Sequence, residues 1–401
     1  MNTKYITHLE QVQQVSAAER TELDPVTKRF AFRCNEYFLS LIGWDDPGDP
    51  LRRLVIPSAD ELEPWGEADP SREADYTVAP GLEHKYGPTA LILASRVCAA
   101  YCRFCFRKRI FTNENAEVPY DLTKAYAYIR EHNEITNVLL TGGDPLLLST
   151  SKLKQIVAEL RTIEHVQIIR IGTKVTAFNP HRVLNDPPLV ELLGRYSTPE
   201  KRIYIVSHFD HPRELTEEAV AATSKLLEAG CRAVNQTPII RGVNDDPEVL
   251  AELFRKLSFI GVPPYYVFQC RPTYGNKAYT VPIEEAYLIF ERARTKCSGL
   301  AKRARFVMSH ATGKIEIVGI SSKFTYLKYH SSPQPEYKGR FLVFHRNPEA
   351  YWLEDFGKPV DDLFLDDQPA IRGLCDDVPA EDINPERSQI TRTASPYAWP
   401  L

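Results

Sequence analysis

Three cysteines lie within eight residues, at a spacing that could hold a metal centre. Cys98, Cys102 and Cys105 follow the pattern C-x3-C-x2-C in the segment CAAYCRFC. Thiolates are soft ligands that suit zinc or an iron–sulfur cluster. A structural zinc needs four ligands, and the nearest further candidates, His84 and Cys34, lack the usual pair spacing. The pattern therefore favours a [4Fe–4S] cluster in which one iron has no protein ligand and can bind another molecule.

The chain around these cysteines alternates between apolar runs and helical patterns. Strands that are apolar on both faces and alternate with helices predict a parallel sheet built from a βα repeat. Their number fits an α/β barrel or an open part of one, with a doubly wound open sheet as the alternative, because periodicity alone does not separate the two. The predicted strands are residues 90–97, 137–141, 166–171, 202–206, 231–238, 264–270 and 305–309. The predicted helices are residues 121–132, 151–163, 187–196, 214–229, 247–258 and 283–297.

Polar residues gather at the carboxyl ends of these predicted strands, which is where both candidate folds place their active sites. The cysteine group follows the first strand, and Gly142-Gly143-Asp144 follows the second. We therefore expect six successive strand ends to converge on one opening. The remaining members of this group are Gly172, Thr173, Lys174, His208, Asn235, Gln236 and Arg271.

The charge is distributed unevenly along the chain. The 401 residues carry 49 Lys and Arg against 53 Asp and Glu, a formal net charge of −4, which argues against a dedicated nucleic-acid binder. Residues 354–387 contain 11 acids and 3 bases, so this stretch carries −8 and the rest of the chain +4. We expect a mildly basic body and an acidic, proline-rich tail.

The cysteine pattern, together with the Gly-Gly pair at the next strand end, strongly resembles the radical S-adenosylmethionine superfamily. Longer segments narrow the resemblance to the lysine 2,3-aminomutase family over about residues 29–320. The resemblance implies a partial (β/α)6-type TIM barrel with an N-terminal helical arm and a C-terminal extension. It also implies a [4Fe–4S] cluster, S-adenosylmethionine and pyridoxal phosphate as cofactors, and the transfer of an amino group from C2 to C3 of an amino acid. The similar segments include YFLSLIGWDDPGDPLRRLVIPSADEL, PGLEHKYG, CAAYCRFCFRKR, LLTGGDPLLL, RIGTK, HFDHPRE, NQTPIIRGVND and PYYVFQC.

The resemblance assigns the central chemistry to four residues. Cys98, Cys102 and Cys105 match the cluster ligands. Lys314, in the segment HATGK, matches the lysine that forms a Schiff base with pyridoxal phosphate, on a loop that lets it swing. A lysine in that role must be able to become a neutral amine. The alternative is an ordinary surface lysine after a Thr-Gly turn.

Other residues match positions around S-adenosylmethionine. Gly142, Gly143 and Asp144 match the segment whose backbone meets the methionine amino group, where the missing Cβ of glycine permits a close approach. His208 matches a histidine near the adenosyl moiety. Its alternative is a core histidine whose hydrogen bonds are satisfied by the protein.

A further set matches contacts to pyridoxal phosphate and to carboxylates. Lys85, Tyr86 and Gln236 match residues that contact the pyridoxal ring and its phosphate. The family has arginine at the positions of Lys85 and Thr89, so the phosphate site of this chain is weaker in charge. Arg107 matches the arginine that contacts the carboxylates of the substrate and of methionine, and a guanidinium offers a bidentate fork for that purpose.

Substrate specificity is where this chain departs from the lysine-specific pattern. The two aspartates that bind the distal ammonium are missing, because Arg271 follows the Gln-Cys of the penultimate strand and Val-Met-Ser occupies residues 307–309. An arginine repels an ammonium. We therefore expect free lysine to be a poor substrate and Arg271 to bind a distal carboxylate, as in a glutamate-type amino acid. The alternative is that Arg271 pairs with a nearby acid.

We expect three regions: a helical arm or cap over residues 1–85, the barrel core over 86–330, and an extension with the acidic tail over 331–401. The tail could cover the basic opening, contact a neighbouring subunit or stay in solvent. The N-terminus lacks the apolar core of a signal peptide and no run of 18 apolar residues occurs, so we expect a cytoplasmic protein without a membrane or nucleic-acid partner. A homo-oligomer and an external electron donor are further expectations from the resemblance.

Two other functions remain open from the sequence. One is a radical S-adenosylmethionine enzyme on the same scaffold with other chemistry, such as an epimerase or a protein-modifying enzyme, that makes little or no use of pyridoxal phosphate. The other is an iron–sulfur or zinc module without enzymatic activity.

Overall fold

The computed structural model describes residues 3–111 and 116–363. Residues 3–76, which we call the cap, form a small layer whose apolar side chains share one core with Ala99, Ala100 and Phe104 of the cysteine segment. The cap therefore packs directly against the chain that carries the three thiols. Its elements are strand β1 (Tyr5–Ile6), helix α1 (Ala17–Arg29), strand β2 (Cys34–Asn35), helix α2 (Glu36–Ser40) and helix α3 (Pro50–Val55).

Within the arm or cap that was predicted to be helical, residues 31–35 are extended. Phe30, Phe32 and Cys34 are buried while Ala31 is exposed, which is the alternation of an extended chain. The helix begins only at Glu36, because the Asn35 side chain accepts a hydrogen bond from Phe38 N and caps it.

The rest of the described chain forms one sheet with its helices. All seven predicted strands and all six predicted helices of residues 89–310 are present, with ends shifted by a few residues. No helix in the described ranges is long and apolar enough to span a membrane. The elements are β3 (Thr77–Ala79), β4 (Leu82–Tyr86), β5 (Thr89–Ser95), α4 (Thr123–Glu131), β6 (Asn137–Gly142), α5 (Thr150–Arg161), β7 (Ile168–Thr173), α6 (Val175–Phe178), α7 (His181–Leu184), α8 (Pro187–Tyr196), β8 (Ile203–Ser207), α9 (Glu217–Glu228), β9 (Arg232–Pro238), α10 (Pro247–Phe259), β10 (Pro264–Phe268), α11 (Ile283–Thr295), β11 (Arg305–His310), β12 (Gly313–Ile320), β13 (Phe324–Ser331), β14 (Phe341–His345) and β15 (Asp361–Leu363).

The strand order distinguishes the two folds that the sequence left open. The sheet runs β3 to β15 in unbroken chain order, and strands β5 to β11 pair in parallel. A doubly wound sheet reverses its order at a switch point, and this order has no reversal. Right-handed crossovers then place all the helices on one face of the sheet, as in a partial barrel.

Alternation along the parallel strands separates the helix-facing side from the inner side. Val138 and Leu140 of β6 and Ile171 of β7 are fully buried in the core. Their neighbours Leu139 and Arg170 line a cavity on the opposite face. Each strand therefore contributes every second side chain to the inside of the barrel.

Hydrogen bonds between the two ends of the barrel close its open side. Lys85 Nζ of β4 donates to the His310 carbonyl oxygen of β11 at 2.7 Å. The Tyr76 hydroxyl donates to the carbonyl oxygen of Ala311 at 2.8 Å. The Ser71 hydroxyl donates to the carbonyl oxygen of Ser309, also at 2.8 Å. The cap and the β11–β12 turn thus seal the gap that the sheet leaves.

The sheet crosses both predicted region boundaries, since residues 85 and 86 lie within β4 and residues 330 and 331 within β13. In and after β13 the chain contains three short aromatic segments. TYLKYH and GRFLVFH form strands β13 and β14, and the third, around residues 350–356, contains a 3-10 helix at Leu353–Phe356. The acidic tail beyond residue 363, including Cys375, lies outside the described residues.

One buried ion pair joins the cap to the cysteine segment. The carboxylate of Glu61 accepts hydrogen bonds from Arg103 Nε at 2.9 Å and Nη2 at 2.7 Å, and both side chains are almost fully buried. The Glu61 carboxylate also accepts from the Tyr279 hydroxyl at 3.0 Å, from Ser58 N at 3.1 Å and from the Lys108 ammonium at 3.3 Å. Removing one partner of such a pair leaves an uncompensated buried charge.

We predict that Glu61→Ala lowers the free energy of unfolding by about 3–5 kcal/mol, because Arg103 keeps its charge without a partner. Urea denaturation followed by circular dichroism measures this. The exposed Glu22→Ala on helix α1 is the control and should stay within about 0.5 kcal/mol of wild type. Equal stabilities of the two variants would contradict the role given to this pair.

Candidate functional site

A single cavity of about 710 Å³ lies inside the barrel, under the cap. Every residue that the resemblance assigned to a site contributes to its wall. The structure therefore brings together groups that are more than 200 residues apart in the chain. Asn235, also expected at the opening, is instead buried and bonded to the Phe209 backbone. The lining includes Lys85, Tyr86, Cys98, Cys102, Cys105, Arg107, Gly142, Gly143, Asp144, His208, Gln236, Arg271 and Lys314.

The cysteines lie on the loop formed by residues 98–105, which backbone hydrogen bonds attach to the cap. Tyr101 N donates to the carbonyl oxygen of Arg33 at 2.9 Å, and Arg103 N donates to that of Leu54 at 2.9 Å. These bonds orient the loop so that its thiols face the cavity.

The donor set of this loop fits an iron–sulfur cluster. Cys98, Cys102 and Cys105 are unpaired, half-buried thiols, and burial raises the pKa of each. A bound metal centre supplies the positive charge that holds such thiols as thiolates. No three His, Cys, Asp or Glu side chains of the described residues are arranged to hold a single metal ion. A cluster makes a different demand, because each thiolate binds its own iron.

The two glycines after β6 are required by close backbone packing. Gly142 has a φ of +108°, and a Cβ there would lie 2.6 Å from the Ser95 carbonyl oxygen. A Cβ on Gly143 would lie 2.7 Å from both the nitrogen and the oxygen of Val97. Gly143 N also donates to the Ser95 oxygen at 2.6 Å. The pair therefore positions the residue before Cys98, whatever contact it makes with a ligand.

Asp144 organises the neighbouring strand end. Its carboxylate accepts hydrogen bonds from Leu146 N at 3.0 Å, from the Thr173 hydroxyl at 2.7 Å and from Lys174 N at 2.8 Å. Burial raises the pKa of Asp144 to about 6, against these hydrogen bonds. The carboxylate thus holds the ends of β6 and β7 together.

Lys314 extends into the cavity from strand β12, and the expectation of a loop lysine is wrong. The Thr-Gly turn ends at Gly313, and Lys314 pairs in the sheet with Ser309 on one side and Ser331 on the other. Its ammonium nitrogen lies 4.1 Å from the centre of the Tyr266 ring. Any movement of Lys314 must therefore come from its four-carbon side chain.

Burial lowers the pKa of Lys314 to about 7, and the charges of Arg170, Arg271 and Lys85 act in the same direction. The amine is consequently neutral in a large fraction of molecules at neutral pH. A neutral amine is the form that attacks a carbonyl group. The neutral form is the one that Lys314 needs in order to form a Schiff base.

Lys85, expected to contact a phosphate, also has a structural contact. Its bond to the His310 oxygen closes the barrel, and its ammonium lies 4.6 Å from the centre of the Tyr76 ring. Burial lowers the pKa of Lys85 to about 8. Tyr86 and Gln236 line the cavity.

Glu73 of the cap, which the sequence analysis missed, occupies the fork of Arg107. Arg107 Nε and Nη2 donate to its two carboxylate oxygens at 3.0 and 2.8 Å. Arg109 Nη2 donates at 2.7 Å, and Arg271 Nη1 lies at 3.4 Å. Burial alone would raise the pKa of Glu73, but the three guanidinium charges hold it well below its usual range. Arg271 therefore does have an acidic neighbour, the arrangement foreseen as its alternative role.

Arg271 keeps a further set of donors towards the cavity. Its guanidinium carbon lies 3.5 Å from the centre of the Phe106 ring, so the two groups stack. The 3.4 Å contact to Glu73 is long for a charged hydrogen bond. Stacking orients the guanidinium without using its N–H groups.

His208 belongs to a buried charged network behind the cysteine loop. Its Nε2 lies 2.9 Å from Asp210 Oδ1, and its ring meets the Phe104 ring edge-on. Lys174 Nζ lies 2.8 Å from Asp210 and 2.6 Å from Glu214. Although burial alone would lower the pKa of Lys174, these carboxylates raise it. Lys174 therefore stays cationic next to the cavity.

Two more ionisable residues of the cavity were missed. Glu83 of β4 lies on the wall, and its carboxyl group has no hydrogen bond to another described residue. Burial, with the charge of Glu73, raises the pKa of Glu83 to about 8. Arg170 lies in the middle of β7. A sequence signal existed for Arg170, because a charged residue interrupts the apolar run VQIIRIG.

The chain is similar to several proteins of known families. A family model described as the Radical SAM superfamily matches residues 92–254. A protein of Aquifex aeolicus (strain VF5) with the name "Putative L-lysine 2,3-aminomutase" is 54% identical over 358 residues, 89% of this chain and 96% of that protein. The L-lysine 2,3-aminomutase of Clostridium subterminale is 39% identical over 66% of this chain and 62% of its own length. The glutamate 2,3-aminomutase of Clostridioides difficile (strain 630) is 34% identical over 73% of this chain and 68% of its own length.

We predict that Gly143→Ala lowers the iron bound per chain after anaerobic reconstitution to less than about half of wild type, and stability by about 1–3 kcal/mol. The added methyl group would meet the Val97 backbone, which must move together with Cys98. Gly299→Ala is the control, since a Cβ there meets nothing within 4 Å. Full iron loading of Gly143→Ala would rule out this packing constraint.

Proposed function

Because the chain belongs to the lysine 2,3-aminomutase family of the radical S-adenosylmethionine superfamily, we propose that it moves an amino group from C2 to C3 of an amino acid other than free lysine. The observation that carries the proposal is that the three thiols of residues 98–105 and the amine of Lys314 line the same cavity. An iron–sulfur module without enzymatic activity has no need for a buried lysine of depressed pKa in that place.

Enzymes of this family use a [4Fe–4S] cluster, S-adenosylmethionine and pyridoxal phosphate, and they need an external electron donor. When bound, these groups supply a carbon radical that removes and returns one hydrogen atom, and a conjugated ring that carries the migrating nitrogen. The protein must hold the reacting groups close together and keep water away.

We assign the cluster to Cys98, Cys102 and Cys105. The backbone around Gly142 and Gly143 is assigned to the methionine part of S-adenosylmethionine. The closed barrel and the overlying cap enclose this region, which protects a radical from side reactions.

We assign the attachment of pyridoxal phosphate to Lys314. Its neutral amine can form a covalent bond to an aldehyde and accept or return a proton at Nζ. The Tyr266 ring at 4.1 Å restricts where that nitrogen can lie. Lys85, Tyr86 and Gln236 are the proposed neighbours of the ring and its phosphate.

The charges on the cavity wall support a substrate with an acidic side chain. Residues 307–309 carry no carboxylate, and the carboxylate of Glu73 is already shared by arginines. Arg271 is held by stacking on Phe106 and still has N–H groups to donate. A guanidinium binds a carboxylate through two hydrogen bonds. The relative named glutamate 2,3-aminomutase supports the same choice.

A homo-oligomer and a cytoplasmic location stay predictions from the sequence, as do the three regions described above.

We predict that Lys314→Ala abolishes covalent attachment of pyridoxal phosphate, measured by mass spectrometry after borohydride reduction. The exposed Lys328→Ala should be labelled like wild type. In wild type the initial rate of attachment should rise about tenfold per pH unit below pH 7 and level off above about pH 8, because only the neutral amine reacts.

The charges that face this amine come from β7, β4 and the end of β10, namely Arg170, Lys85 and Arg271, and all three favour the neutral form. Persistent labelling of Lys314→Ala would identify a different lysine. A rate that still rises above pH 9 would contradict the depressed pKa.

We predict that an anaerobic assay with S-adenosylmethionine and a reductant yields a β-amino acid from glutamate-type substrates faster than from lysine. Arg271→Gln should reduce kcat/KM for the acidic substrate by about 10- to 100-fold, the value of a charged hydrogen bond, and should affect a neutral amino acid less. Arg294→Gln on helix α11 is the control. A preference of wild type for lysine would refute the substrate assignment and point to Glu83 as the partner of the ammonium, while the aminomutase reaction would stand.

A further inference from the structure

The inner end of the cavity contains a guanidinium without an anionic partner. Arg170 lies in the middle of β7, on the face that lines the cavity. Its Nε donates to Asn137 Oδ1 of the neighbouring strand at 2.8 Å. Within the described chain, its two terminal nitrogens have no hydrogen bond and no ion pair. These two nitrogens are not fully buried by protein atoms, so they are exposed to the cavity.

The surroundings of Arg170 make this arrangement costly without a ligand. Burial lowers the pKa of the Arg170 guanidinium, and only Tyr265 and Tyr266 act in the opposite direction. A buried arginine is normally paired, because taking its charge out of water is expensive. Lys314, which is also a base, lies close enough for the charge of Arg170 to lower its pKa. Within the described chain, no carboxylate contacts Arg170 or Lys314.

The sheet register places Arg170 among neutral polar groups. Leu139 of β6 lies opposite Arg170, and two residues earlier Asn137 lies opposite Thr89 of β5. The Asn137 amide therefore sits between the β5 edge and the guanidinium. Because Asn137 binds Nε, the plane of the guanidinium is oriented and its terminal edge is left for an incoming group.

We propose that Arg170 binds the phosphate group of pyridoxal phosphate, so that its terminal nitrogens donate to the phosphate oxygens at the inner end of the cavity. The inference rests on the proposed use of pyridoxal phosphate by this chain. A dianionic phosphate suits a region where Arg170 and Lys85 bring positive charge and no acid is in contact. A substrate carboxylate instead has Arg271, which stacks on Phe106, available. Arg170 thus supplies a guanidinium to a phosphate site that has no arginine at positions 85 and 89.

The test compares pyridoxal phosphate with pyridoxal, which lacks the phosphate, on reconstituted protein. Arg170→Met should weaken the binding of pyridoxal phosphate by about 10- to 100-fold, the value of one or two charged hydrogen bonds. Pyridoxal should bind to wild type and to Arg170→Met with similar affinity. Absorbance titration gives both dissociation constants. Arg232→Met, at the exposed start of β9, is the matched control and should bind both compounds like wild type.

Asn137→Ala provides a second variant in case Arg170→Met does not fold, which circular dichroism and iron content reveal. Loss of the Asn137 amide should free the guanidinium and weaken the binding of pyridoxal phosphate several-fold, again without an effect on pyridoxal. Inorganic phosphate should compete with pyridoxal phosphate for wild type.

Equal weakening of both compounds in the two variants would overturn the phosphate contact, and so would unchanged binding of pyridoxal phosphate. In either case wild type still binds the cofactor, so the proposed function survives the loss of this inference. If wild type bound neither compound, the proposed use of pyridoxal phosphate and the assignment of Arg170 would both be refuted.

Discussion

A single carboxylate, that of Glu73, holds the active cavity in shape. It accepts hydrogen bonds from Arg107 and Arg109, which directly follow the cysteine loop, and lies 3.4 Å from Arg271 at the end of β10. Three guanidinium groups on two distant segments would otherwise repel one another in a region with little water. Because Glu73 belongs to the cap, the packing of the cap over the barrel also brings a neutralising carboxylate to these arginines. The cap is therefore a part of the active site as well as its cover.

The barrel could be predicted because its signals are local. Each parallel strand packs one face on the helices and turns the other to the barrel interior, so it appears as a short, mostly apolar run between amphipathic helices. The features that were predicted wrongly depend on distant partners. Lys314 lies on a strand because Ser309 and Ser331 pair with it on both sides. The turn signal at Thr312 and Gly313 does not reveal that the β11–β12 hairpin lies at the edge of a barrel. The extended segment before Glu36 is likewise set by burial against the cap core.

The same distinction applies to the cavity. Residues at strand ends were found because parallel strands place their carboxyl ends at one edge, and spacing identified the cysteines. Glu73 and Glu83 come from the chain before the first parallel strand, in a stretch of turns with many acids, where composition does not separate a buried carboxylate from an exposed one. Arg107 was expected to offer its fork to a ligand. Only the contact between Glu73 and Arg107 in the folded chain shows that the guanidinium fork of Arg107 is already occupied.

The two ends of the cavity therefore differ in their electrostatics. At the cysteine end Arg107, Arg109 and Arg271 already have Glu73 as an acidic neighbour, so a ligand carboxylate must share or displace an existing partner. At the inner end Arg170 and Lys314 have no acid in contact within the described chain, so an anionic group adds stabilisation without displacing anything. A cofactor that carries a dianion is drawn to the inner end, and a zwitterionic amino acid is better matched to the outer one.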